Sequence, residues 1–134
     1  MIGELQCVVL DCADVVVLSR FYAALLGGEV NRPDPRWAVG DDWATLHTGA
    51  GQVLAFQRVD DHRPPRWPDP AHPAQAHLDI DVPDLERAQA EVLARGATLL
   101  DAGEAARGWR VFADPAGHPF CLLRRPAANS CTLQ

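Results

Sequence analysis

His77, Asp79 and Asp81 alternate along one stretch of this chain, and Cys7, Val9 and Asp11 alternate along another. In an extended strand successive side chains point to opposite faces, so each set shares a face. The wholly apolar residues between them, Leu78 and Ile80 in one case and Val8 and Leu10 in the other, share the opposite face and should pack beneath a helix. The mixed set, with Cys7, His77 and Asp79, should then line an open sheet face. An imidazole beside a carboxylate suits hydrogen bonding and proton transfer, with Asp79 orienting His77. Two residues apart on one strand they are adjacent but not collinear, which favours a solvated Asp79. Asp11 and Asp81 lie near strand ends and should be exposed.

The elements that would position these residues come in two copies. Residues 7–14 line up with 77–84 at an offset of 70, and residues 43–51 with 109–117 at an offset of 66. In the first copy, residues 6–11 read as a Val-rich strand and 14–26 as a helix with Leu18, Phe21, Tyr22 and Leu25 on one apolar face. Asp14 can cap that helix and Gly27-Gly28 can stop it. The run Val15-Val16-Val17 is poor helix material, so burial would have to offset it. Strands follow at 29–30, 43–47 and 52–58, with a long loop at 31–42 and a hairpin turn at Gly49-Ala50-Gly51. The second copy reads as a strand at 76–82, a helix at 84–95 with Leu85, Ala88, Val92 and Leu93 inward, and strands at 97–100, 109–113 and 120–124. Between the copies, residues 60–75 hold five of the eleven prolines, which excludes helix and central strand and predicts a stiff, extended connector. Residues 126–134 read as a mobile tail. The whole is one domain: module one about 4–59, connector 60–75, module two about 76–125.

Length and composition narrow the function. The 134 residues suffice for one compact domain with a real core and are too few for two independent ones. A net charge of −6 lacks the basic face that sequence-independent nucleic-acid binding needs. All twelve basic residues are Arg, which reads as coding bias and not as a dozen anion sites. Residues 1–4 carry no basic stretch, and Asp11 and Asp14 interrupt the apolar run of 8–18, so neither a signal peptide nor a membrane span is expected. A cytoplasmic location follows, with Cys7, Cys12, Cys121 and Cys131 as free thiols. None of the four has zinc-finger spacing. Phosphate-binding glycine loops, Gly-x-Ser-x-Gly elbows and His-Glu-x-x-His motifs are missing.

Four segments carry a resemblance: Val9-Leu-Asp-Cys-Ala-Asp14, Arg20-Phe21-Tyr22-Ala-Ala-Leu-Leu-Gly27, His77-Leu-Asp79 and Asp114-Pro-Ala-Gly117-His-Pro-Phe120. Together they resemble the vicinal oxygen chelate superfamily, which includes glyoxalases, bleomycin-resistance proteins and extradiol dioxygenases. The resemblance runs from Leu5 to about Arg125. It implies an α+β fold in which two βαβββ modules form a cup-shaped mixed β-sheet barrel with helices outside, often within a homodimer. Metal-dependent members hold one divalent ion with four side chains, typically His and Glu, two from each module. Carried over by position, those places fall on Cys7, Ala55, His77 and Cys121, so the set departs from the family's pattern and every carboxylate is gone.

Two readings of that set stay open. Cys7, His77 and Cys121 can form a soft three-ligand site for zinc or iron, with Gln57 or water as a fourth ligand. Alternatively the cysteines are small apolar fillers and His77 a hydrogen-bonded wall residue. Gln57 has the parity of Ala55 and can bind a ligand carbonyl or satisfy the backbone. Trp43 and Trp109 occupy equivalent places and can pack or offer a stacking platform. Trp37 and Trp67, in loops, can close over an apolar ligand or be buried in a dimer interface. His47, His62, His72 and His118 have no ligand-like spacing and are expected at the surface or in turns. The expectation is a small-molecule cavity without the standard metal quartet, formed by Cys7, Gln57, His77, Asp79, Trp109 and Cys121, that binds or sequesters an apolar or aromatic metabolite or drug. The alternative is a metal-dependent lyase, isomerase or dioxygenase.

Overall fold

In the computed structural model, residues 1–37 and 40–125 are described. The expected tail and Cys131 lie outside the described residues. The chain forms two compact units, Met1–Pro64 and Pro65–Gln134, whose boundary falls inside the proline-rich connector.

The first unit contains β1 (Val8–Cys12), α1 (Val15–Leu26), β2 (Glu29–Val30), β3 (Trp43–His47) and β4 (Val53–Arg58). Its strands lie in the order β1-β4-β3-β2. β1 runs parallel to β4, from Val8 opposite Leu54 to Cys12 opposite Arg58, while β4, β3 and β2 are antiparallel neighbours. A parallel pair needs a long crossover, here supplied by α1 and the β2–β3 segment. Asp14 starts the helix by accepting hydrogen bonds from the amides of Val16 at 2.9 Å and Val17 at 3.1 Å. Of the three consecutive valines only Val15 is buried; Val16 and Val17 are half exposed. Burial thus offsets one unfavourable residue, and the cap supports the other two through their amides. Leu18, Phe21 and Tyr22 are buried, with Tyr22 stacked on Phe56 at a centroid distance of 5.9 Å. Gly28 (φ +98°) follows the helix where a Cβ would stand 2.2 Å from the His47 carbonyl oxygen, so only glycine lets α1 return to the sheet there.

The second unit repeats the plan with β5 (Leu78–Val82), α2 (Leu85–Ala94), β6 (Thr98–Asp101), β7 (Trp109–Ala113) and β8 (Pro119–Arg124), ordered β5-β8-β7-β6. Asp84 caps α2 by accepting from the Arg87 amide at 3.1 Å. Arg110 ties α2 to the sheet, donating to Gln89 at 2.8 Å and to Glu86, whose carboxyl it holds below its ordinary pKa. Leu85, Val92, Phe112, Phe120 and Leu122 are buried, and the rings of Phe112 and Phe120 stack at 5.5 Å. The Asp114-Pro-Ala-Gly117 segment is the β7–β8 turn. The buried Asp114 carboxylate accepts from Ala116 N at 2.8 Å and His118 N at 3.1 Å, and Gly117 takes a φ of +94°.

The expected α+β class and the two βαβββ modules are both present. Several details differ from expectation. β1 begins at Val8, which leaves Cys7 just outside the strand. Leu93 is 38% exposed, because the narrow apolar stripe of α2 is filled by Leu85 and Val92. His47, expected at the surface, is buried in β3 with its Nε2 3.1 Å from Thr45 Oγ1. The connector is not simply extended. Arg66 N bonds His72 O at 2.9 Å, and Asp69 N bonds Arg66 O at 2.7 Å, folding residues 66–72 into a compact loop. No described helix is long and apolar enough to cross a membrane.

Candidate functional site

The chemistry-bearing residues of the second unit gather on the sheet face opposite α2. The parallel register sets Asp79 opposite Cys121, and the antiparallel register sets Cys121 opposite Val111, so these three stand abreast. His77 precedes β5, and its Nε2 lies 3.2 Å from Asp79 Oδ1, with both side chains more than half exposed. Asp79 is therefore solvated and paired with the imidazole at once. One donor atom from each of His77, Asp79 and Cys121 can be chosen so that all lie within 4.8 Å of one another.

Cys121 is buried, and its thiol pKa is pushed up to about 11. Burial is the main cause, followed by the negative charge of Asp79 and by a hydrogen bond between the two side chains. At neutral pH the thiol keeps its proton, which makes it a hydrogen-bond donor and a small apolar wall instead of a nucleophile.

Beside this trio lies a cavity of about 460 Å³ lined by Trp67, Trp109, Val111, Pro119, His77 and Cys121, with the prolines of the 66–72 loop and its neighbours at the rim. The loop is internally braced: Asp69 accepts from Ala71 N at 2.9 Å and pairs with His72 Nδ1 at 3.0 Å. These bonds, the backbone one first, lower the Asp69 pKa. Trp67 is thereby a wall of this cavity. The aromatic residue and the proline density were both visible in the sequence, but the loop's internal fold was not.

The equivalent face of the first unit is different. Val9, Ala55 and Thr45 stand abreast there, with Ala55 and Thr45 buried. Trp37 is buried, edge-on to the His47 ring at 4.9 Å. Cys7 is half-buried, and Gln57 is exposed in a small polar recess beside Trp43 and the Arg58–Asp42 and Arg58–Asp60 ion pairs. Of the six expected ligand-binding residues, His77, Asp79, Trp109 and Cys121 belong to the second unit; Cys7 and Gln57 belong to the first.

The four positions implied for a metal do not suit the oxygen- and nitrogen-rich quartet of the family. Ala55 carries no donor and is fully buried, and neither Cys7 nor Cys121 supplies a carboxylate. His77, Asp79 and Cys121 make a different set, one imidazole, one carboxylate and one thiol from a single module, of a kind that zinc accepts.

Comparison with known proteins agrees with this architecture. The family model for the glyoxalase-like domain matches residues 7–123, and the chain belongs to that family. Among solved structures it is similar to a glyoxalase/bleomycin resistance protein/dioxygenase family enzyme from Burkholderia phytofirmans PsJN. That likeness has 20% identity, covers 91% of this chain and 98% of the other, and has a TM-score of 0.65. A hypothetical protein from S. aureus matches at 18% identity over 93% of this chain and 100% of its own, with a TM-score of 0.66. A mutant of the fosfomycin resistance protein FosX from Listeria monocytogenes, complexed with Mn(II) and 1S,2S-dihydroxypropylphosphonic acid, matches at 15% identity. It covers 92% of this chain and 90% of that one, with a TM-score of 0.65. At these identities the likeness is one of fold. No curated protein matches the sequence significantly.

Proposed function

We propose that this protein binds a small apolar or aromatic molecule in the second-unit cavity and sequesters it without the family's usual metal quartet. The observation that carries this reading is the cavity itself. Its volume of about 460 Å³ lies in the range of small-molecule sites, two indoles and several prolines line it, and Asp69, Gln75 and His77 add polar groups. His77, which lines the cavity and pairs with Asp79 behind it, can bind a hydroxyl or carbonyl of the ligand while Trp67 and Trp109 cover its apolar body. 2-Naphthol, a flat probe with one hydroxyl, should quench tryptophan fluorescence saturably. Trp67→Ala and Trp109→Ala should each weaken its binding roughly tenfold or more, in line with truncation of an aromatic anchor that the ligand covers. Unsaturable quenching, or affinity that both variants leave intact, would remove the cavity from consideration.

A second reading is supported by the convergence of His77, Asp79 and Cys121. These three would hold a zinc or iron ion, with Cys121 bound as thiolate, and the ion would supply a Lewis acid for a lyase, isomerase or dioxygenase reaction. Elemental analysis of protein purified without chelator or affinity metal tests it. Near-stoichiometric metal that His77→Ala and Cys121→Ala both lose, and Cys7→Ala retains, supports the enzyme. Protein free of metal, and not stabilised by any added divalent ion, sinks it.

A further inference from the structure

The loop entering β7 carries a residue that does not line the cavity and yet controls one of its walls. Arg107 lies with its guanidinium carbon 3.7 Å from the centroid of the Trp109 ring. Its Nε donates to the Trp109 carbonyl at 2.9 Å. One terminal nitrogen donates to the Asp101 carboxylate at 3.2 Å, and the other to the Asp101 main-chain carbonyl at 3.3 Å. Three bonds from one planar fork fix its plane as well as its position, which an ammonium could not do. Gly103 (φ +62°) approaches so closely that a Cβ there would stand 2.2 Å from both Cζ and Nε of Arg107. The guanidinium is thus wedged against bare backbone and laid over the indole.

An indole near a strand end, 41% exposed as Trp109 is, ordinarily exchanges between rotamers. The stacked, hydrogen-bonded cation removes that freedom. Trp109 lines the cavity and Arg107 does not, so the guanidinium acts on that wall from outside the lining. We infer that Arg107 is a positioning residue that holds Trp109 as a fixed flat wall, and that the cavity therefore selects planar, conjugated ring systems over saturated ones of the same size. The inference rests on the cavity reading above. A ring aligned on an indole gains attraction beyond what its buried area provides, and a puckered ring cannot collect it.

The test is calorimetric titration of the full chain with 2-naphthol and with decahydro-2-naphthol, which has the same skeleton and hydroxyl. The wild type should bind the planar probe roughly three- to tenfold more tightly. Arg107→Met keeps the stem but loses the fork, and should bring that ratio close to one. Arg107→Lys keeps the charge and should not restore it. Gly103→Ala should displace the guanidinium and lower the ratio with Arg107 still present. If Arg107→Met fails to fold, the Lys and Gly103 variants carry the test. A variant that lowers thermal stability, or weakens both probes equally, with the ratio unchanged would make Arg107 a purely structural loop residue and overturn the inference. Equal affinity of both probes for the wild type would overturn it while leaving the cavity reading standing. If neither probe binds at all, both readings fail.

Discussion

The two modules share one fold and use its two faces in opposite ways. Under the helices they are interchangeable in character: Leu46, Leu54 and Phe56 in the first correspond to Phe112, Phe120 and Leu122 in the second, and all six are buried. On the other face they part. Where the first module has Cys7, Val9, Ala55 and Thr45, the second has His77, Asp79, Cys121 and Val111. The first module packs its own Trp37 against His47, and the second leaves a cavity walled by Trp67 and Trp109. Packing beneath a helix tolerates few solutions, because volume and apolarity must both be kept. The open face carries no such constraint, so one copy could fill it and the other could be equipped for a ligand.

Paired substitutions measure how far this likeness extends. The largest contrast should lie at the glycines just past the helix caps, Gly28 and Gly96. Gly28→Ala drives a Cβ into the His47 carbonyl at 2.2 Å, whereas the nearest atom to a Cβ at Gly96 is Pro115 Cγ at 3.6 Å. Denaturant titration should show a loss of about 4 kcal/mol or more for Gly28→Ala, against about 1–2 kcal/mol of backbone strain for Gly96→Ala. Equal losses would mean that the two helix exits are built alike. The caps come next. Asp14 serves two amides and Asp84 one, so Asp14→Ala should cost about 1–2 kcal/mol and Asp84→Ala about 0.5–1 kcal/mol in the same assay.

A subtler effect is confined to the second module. Folding raises the Cys121 pKa from 9.0 to about 11, so the unfolded chain gives up this proton first as the solution becomes alkaline. The stability tied to that proton is fully present below pH 9 and lost as the pH rises toward 11. Asp79→Asn removes a charge that holds the proton on. It should therefore speed alkylation of Cys121 by iodoacetamide at pH 9, and an unchanged rate would dismiss the Asp79 contribution. The smallest effect should come from Gln57→Ala. This exposed residue lies outside the cavity, and the substitution should alter 2-naphthol affinity by less than about twofold, the range of ordinary surface changes.

Strand alternation and helix caps made most of the fold legible. β2, β3 and β7 fall at the expected residues, and α1 begins directly after its predicted capping aspartate. The same alternation put His77 and Asp79 on one face, and the family resemblance pointed to Cys121 as their companion. Three features could not be read this way, because each depends on contacts with no period. His47 is buried because Trp37 folds over it from a loop. Residues 66–72 curl because hydrogen bonds to Asp69 and His72 outweigh the extended bias of their prolines. Arg107 reaches Asp101 and Trp109 only because Gly103 leaves it room.

The braced loop at residues 66–72 bears on how fast the cavity can fill. A mobile rim would have to close after a ligand arrives, and its closing rate would cap the observed rate at high ligand concentration. This rim is already tied by its own backbone bonds and by the Asp69–His72 pair. Ligand capture should therefore be a single collision-limited step, its observed rate rising linearly with concentration and never reaching a plateau.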